Sequence, residues 1–225
     1  MNQDWRRSLY PKPQVSKLDT SLRYTDILFG FVIKELFTRL QHWSVLSGEV
    51  QLHLVVGTVL VLGSWIGYRR SMNRSAYEVK FFNLPFFRFL ADQLMLILYF
   101  RIAVLTDLDR AAGTANLSEQ TLRLVIYVFV LYLVWDGLGL WMALTRDPFA
   151  PTQYRYPKFL EDKTPTSDPA PADFAGFWIT YCTLVVLLIL NAWWTSRFQL
   201  WILVIVGILL LAYRWCKEVR SSLKA

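Results

Sequence analysis

An all-α bundle of six transmembrane helices is the fold class this sequence predicts, and three observations predict it. Apolar runs of about the length that crosses a bilayer recur along nearly the whole chain. Of the 24 Lys and Arg residues, 18 fall in alternate polar segments between those runs, as the positive-inside bias requires. Trp and Tyr gather near the run ends, where an apolar ring with a polar tip is best accommodated.

The apolar share is 55% and the aromatic share 16% over 225 residues, and the run length decides the class as much as the composition does. The net charge of +7 is divided among loops rather than gathered into one patch, so it reads as an orientation signal and no nucleic-acid partner is expected. Six spans are expected over 26–45, 50–68, 89–108, 121–144, 174–194 and 198–214, each near the ~20 residues that cross about 30 Å of hydrocarbon. Only an even number of spans leaves the basic termini on one side, so both are expected in the cytoplasm. The lipid bilayer is thus the first partner, and a bacterial inner membrane the expected location.

The chain divides into a cytoplasmic arm (1–23), a four-helix membrane module (24–144), a Pro-rich cytoplasmic loop (145–173), an apolar two-helix hairpin (174–214) and a basic tail (215–225). The arm has no apolar h-region, so no cleavable signal peptide is expected. The module opens on Tyr24–Trp43, a span carrying Asp26, Lys34, Glu35 and Arg39, and the other helices are expected to pack around it. Gly57, Gly63, Ser64 and Gly67 give the second span a small-residue stripe, suited to close contact with the first span or another copy. Between spans two and three, Phe81–Phe89 with Pro85 reads as a segment lying in the inner interface. The long loop holds six of the nine prolines, so it is expected to be extended; Tyr154, Tyr156 and Phe159 are its candidate partner contacts. The hairpin is expected to face lipid or a subunit contact. Trp43, Trp65, Trp141, Trp193, Trp194 and Trp215 are the expected interfacial anchors.

Charges inside spans are costly and mark functional or structural sites. The candidates are Lys34, Glu35, Arg39, Asp92, Arg101 and Asp136. Counting about 1.5 Å per residue from Tyr24, Arg88 and Leu144 puts Asp92 roughly 6 Å deep, Asp136 about 12 Å, Lys34 about 15 Å, Glu35 roughly 16 Å, Arg101 about 20 Å and Arg39 about 22 Å. Two pairs between helices follow, Lys34 with Asp136 and Glu35 with Arg101, and Arg39 shares Glu35 at i, i+4. Asp92 is expected to use Arg88 one turn back, and with Asp26 and Asp136 it outlines a candidate inner cation vestibule. The set balances three cations against three anions, which favours a structural network and is also compatible with a polar path.

His42, Glu49 and His53 lie around the first outer turn without a diagnostic metal spacing, so no metal site is expected. Cys182 and Cys216 have neither disulfide nor zinc context. No phosphate-binding glycine loop, HExxH or GxSxG is present, so neither an enzyme nor a cofactor is expected. The run Arg23-Tyr24-Thr25-Asp26-Ile27-Leu28-Phe29-Gly30 resembles the opening of the first helix in the six-helix prokaryotic potassium channels related to the lysosomal potassium channel. Tyr24-Thr25-Asp26 would match that family's aromatic-Ser-Asp run, which implies a pore-lining first helix. The arginine spacing, the mid-helix Lys34-Glu35 step and the Pro-rich loop depart from that pattern, and the chain is not assigned to the family.

Two function classes follow. One is movement of ions or small solutes through a polar path beside the first helix, past Glu35, Asp92, Arg101 and Asp136. The other is a non-catalytic scaffold or subunit, a homo-oligomer or part of a membrane complex, whose buried charges are structural.

Overall fold

The computed structural model describes residues 17–74, 82, 84–112, 116–145, 174–193 and 199–223. They form six long helices: α1 (Lys17–Leu40), α2 (Gly48–Arg74), α3 (Leu84–Ala112), α4 (Leu117–Leu144), α5 (Phe174–Ala192) and α6 (Gln199–Leu223). One turn of 3-10 helix over Trp43–Val45 links α1 to α2. Residues 1–16 of the arm, most of the Pro-rich loop with Tyr154, Tyr156 and Phe159, and Trp194 lie outside the described residues.

Five helices, α2 to α6, are long and apolar enough to cross a membrane. They fit a multi-pass membrane protein, and the outer surface agrees. Ile97, Tyr127, Ile189, Ile205, Ile208 and Leu211 are all exposed, a surface that water would not tolerate and that hydrocarbon would. Helix α1, with Asp26, Lys34, Glu35 and Arg39 in its apolar stretch, is not among the five.

Several local expectations change. Helix α1 starts before Tyr24 and stops at Leu40 rather than 45, where the 3-10 turn takes over. The phenylalanine run is no separate interfacial segment. From Leu84 it is the first turn of α3, and Pro85 is tolerated there because an N–H in that turn has no helical acceptor. Phe82 just before it has φ 59°, in the left-handed region that turns the chain into the helix. Helix α6 continues past the expected hairpin end at 214 as far as Leu223.

The expected hub is also displaced. Among the described residues, helix α1 packs chiefly on α2 and α3, through Thr25, Phe29, Val32 and Leu36, while Tyr24, Ile27, Phe31 and Phe37 face outward. The helices with the most neighbours are α2 and α4. Leu54, Val56 and Val61 of α2 and Leu122, Val125, Val128 and Phe129 of α4 are fully or nearly fully buried. Helix α6 returns onto α2 and buries Leu203, Val206 and Leu210 there, while Trp201, Ile205, Ile208 and Leu211 of the same helix face outward, so the hairpin adds one face to the core and keeps the other exposed. A Cβ on Gly57 would lie 2.9 Å from Ile102 Cγ2 and 3.6 Å from Leu36 Cδ2; α2 needs glycine there to seat α3 and α1.

Candidate functional site

The densest polar cluster lies at the end of the bundle where α1 begins and α6 finishes. Asp136 of α4 is its centre. Its Oδ2 accepts from Lys217 Nζ at 2.7 Å and from the Thr180 hydroxyl at 2.5 Å. Thr180 sits one helical turn after Gly176 near the start of α5, and its hydroxyl is also 3.3 Å from the Tyr213 hydroxyl. Lys217 follows Tyr213 by four residues and lies 5.2 Å from that ring's centroid. Side-chain exposure is 24% for Lys217 and 13% for Asp136. The pair is therefore shielded from water, where removing one partner costs more than forming the pair gains.

A tyrosine layer continues from this cluster into the bundle. Tyr132 stacks on Tyr213 at 6.1 Å with an interplanar angle of 11°, and Phe129 meets both rings edge-on. The Tyr132 hydroxyl bonds the Tyr99 hydroxyl at 2.8 Å and also contacts the Ser64 hydroxyl. Ser64 Oγ lies 2.5 Å from the carbonyl of Leu60. Hydroxyls and rings from four helices therefore meet in one layer.

Arg214 of α6 lies beside that layer, in a cleft that glycine makes possible. A Cβ on Gly63 would lie 2.6 Å from Arg214 Nε, and one on Gly67 only 2.5 Å from Nη1. The Gly-x-x-x-Gly stripe thus admits a guanidinium from α6 in place of a backbone from α1 or another copy. Arg214 Nη2 is buried with no hydrogen-bond partner among the described residues. A cavity of about 10 Å³ beside it is lined by Tyr132, Tyr213 and Arg214 with apolar neighbours, about the smallest space that one water molecule needs.

Two further sets of charged residues stand at the same end. Asp26 receives Arg69 in bidentate fashion, Nη2 at 2.6 Å and Nε at 3.1 Å, and the indole of Trp65 at 3.0 Å. Trp65 is thus more than an interfacial anchor: its N–H satisfies a carboxylate. Asp92 and Arg88, one turn apart on α3, are both buried, and the Arg88 guanidinium lies 3.6 Å above the Trp135 ring of α4.

At the opposite end, Arg39 bonds the Glu35 carboxylate and also its carbonyl at 3.0 Å. Glu49 of α2 accepts from the Ser118 N–H at 2.9 Å and from its hydroxyl at 2.5 Å. It caps α4, whose own N-cap Asn116 makes no side-chain cap bond. His53 is fully buried. Its Nε2 is 2.9 Å from the Ile102 carbonyl of α3 and its Nδ1 2.7 Å from the Thr121 hydroxyl of α4. A carbonyl only accepts, so Nε2 carries the proton. Glu49 and His53 are thus engaged by different partners, and no group of three His, Cys, Asp or Glu residues stands ready for a metal among the described residues.

The predicted set is therefore divided between two ends. Asp136 takes Lys217 in place of Lys34, and Glu35 takes Arg39 alone in place of a share with Arg101. Lys34 and Arg101 are both exposed, without an ion-pair partner among the described residues. Depth counting gave comparable heights, but α1 and α4 are not packed neighbours, so height alone could not bring Lys34 to Asp136. Lys217 falls within 215–225, which reads as tail in the sequence but is helix as far as Leu223. The signal for it was the Tyr213–Lys217 spacing on a helix that does not stop at 214. Of the aromatic anchors, Trp43, Trp141, Trp193 and Trp215 are exposed, as rings facing lipid or headgroups would be. Compared with protein-family models, curated proteins and solved structures, the chain matches none.

Proposed function

We propose that this protein is a non-catalytic scaffold or subunit of a membrane complex, crossing a bacterial inner membrane six times with both termini in the cytoplasm. In this reading the buried charges lock the helices together, and the Pro-rich loop with the arm and tail recruits a partner. The observation that carries the reading is the double engagement of Asp136 Oδ2, held by Lys217 of α6 and Thr180 of α5. Asp26 with Arg69 and Trp65, and Glu35 with Arg39, follow the same pattern. A carboxylate that must capture and release a cation in passing is poorly served by a fixed ammonium at 2.7 Å.

The test is ion and solute flux into liposomes holding the purified protein. The scaffold reading expects flux equal to that of empty liposomes for the native chain and for Asp136→Asn, with the variant less stable. Flux in the native chain that Asp136→Asn abolishes would establish the conduit reading instead.

A further inference from the structure

We propose that the outer face of α3 and α4 is a binding site for one anionic phospholipid, its chain in an apolar groove and its phosphate at Arg101. The proposal rests on α3 and α4 standing in the membrane, and is independent of the scaffold reading.

The groove has a volume of about 300 Å³ and is lined by Leu94, Ile97 and Leu98 of α3 and Tyr127, Val130 and Leu131 of α4. The α3 residues stand at i, i+3 and i+4, and Arg101 follows Ile97 by four and Leu98 by three, so it continues the same stripe. On antiparallel α4, Arg123 precedes Tyr127 by four residues and occupies the corresponding position. Both guanidinium-bearing residues are exposed. Arg123 is shared with Glu119, whereas Arg101 has no hydrogen bond or ion pair among the described residues. The groove is thus apolar along its lining and cationic at the end where Arg101 stands.

The depth fits a lipid. Arg101 lies five residues inside the α3 span end at Thr106, and Arg123 six residues inside the α4 span end at Leu117. These are depths of about 7.5 Å and about 9 Å. A long side chain rises from there to headgroup level. A guanidinium facing a phosphate forms short charge-assisted bonds in a fixed fork.

The experiment is native mass spectrometry of the full chain released from detergent with phosphatidylglycerol or phosphatidylcholine of identical chains, with glycerol 3-phosphate as a third arm. The native chain should retain one phosphatidylglycerol with about tenfold preference over phosphatidylcholine, the worth of one charge-assisted contact. Arg101→Gln should bring the two lipids to parity, Val130→Trp should reduce retention of both, and Lys34→Gln, an exposed cation on another helix, should change nothing. Thermal unfolding of each variant verifies that it is folded. Equal retention of the two lipids by the native chain, or a preference that survives Arg101→Gln, overturns the proposal. So does stabilisation by glycerol 3-phosphate alone, which would mark a site for a free anion.

Discussion

Single residues matter most where two charges leave water together. Asp136 and Lys217 are that case: each is largely shielded, and each neutralises the other. Replacing Asp136 by Asn should cost about 3 kcal/mol, because it leaves the ammonium shielded from water without its counter-charge. Asp136→Leu combined with Lys217→Met should recover most of that loss in a denaturant titration in detergent. A double variant no better than the single would show that the pair does not couple. The same logic gives the opposite expectation for Glu35 and Arg101. Exchanging their charges should rescue nothing, since Arg39 holds Glu35 and Arg101 faces outward. Much of this chemistry was visible in the sequence as residue type: Asp136, Glu35, Arg39 and Asp92 were all singled out as chargeable groups at depth. Their partners were mostly not visible, because a partner is chosen by rotation about the helix axis as well as by height. Arg39 is the exception, four residues from Glu35 on its own helix, where the rotation is fixed by the backbone.

At the scale of an element, α2 shows how glycine spacing is reused. Gly57 faces the methyl of Ile102 at a distance where a Cβ would lie 2.9 Å away, whereas Gly63 and Gly67 face the swinging end of Arg214. Gly57→Ala should therefore cost about 1–3 kcal/mol through overpacking of a buried contact. Gly67→Ala should be cheaper, because a guanidinium moves aside more readily than a core isoleucine, and Arg214→Ala should remove even that cost. Thermal unfolding of the single and combined variants checks both, and equal losses at Gly57 and Gly67 would contradict the assignment. The sequence announced the small-residue stripe but not its occupant. A Gly-x-x-x-Gly pattern says that something approaches closely; it carries no information about which helix supplies it.

For the whole molecule, the organising fact is a polar layer at one end of an otherwise apolar bundle. Asp26, Arg69, Arg88, Asp92, Asp136, Arg214 and Lys217 all belong to the end where α1 begins and α6 finishes. The opposite end is closed by the Glu49 cap on α4 and by His53, which ties α2 to α3 and α4. Six spans with both termini inside make a direct expectation for labelling in intact cells, in a background with Cys182 and Cys216 replaced by Ser. Ser47→Cys, in the α1–α2 turn, should react with a membrane-impermeant maleimide, and Ser8→Cys, in the N-terminal arm, should react only after lysis. Labelling of both positions, or of neither, from outside would contradict the six-span arrangement and point to a first helix that does not cross.

What the sequence by itself determined is set by local physics. Apolar run length, prolines and charge spacing were enough for the all-helical class, for long helices at nearly the right places and for an apolar outer surface. They act within one helix, where a rise of about 1.5 Å and a turn of about 100° per residue make position predictable. What only the tertiary structure decided is which faces meet. It removed α1 from the centre, packed one face of α6 onto α2, joined Asp136 to Lys217 and set Arg214 into the α2 glycine cleft. Those choices depend on how all six helices share one interior, and a residue's neighbour across that interior is fixed by the packing of the whole set rather than by its own segment.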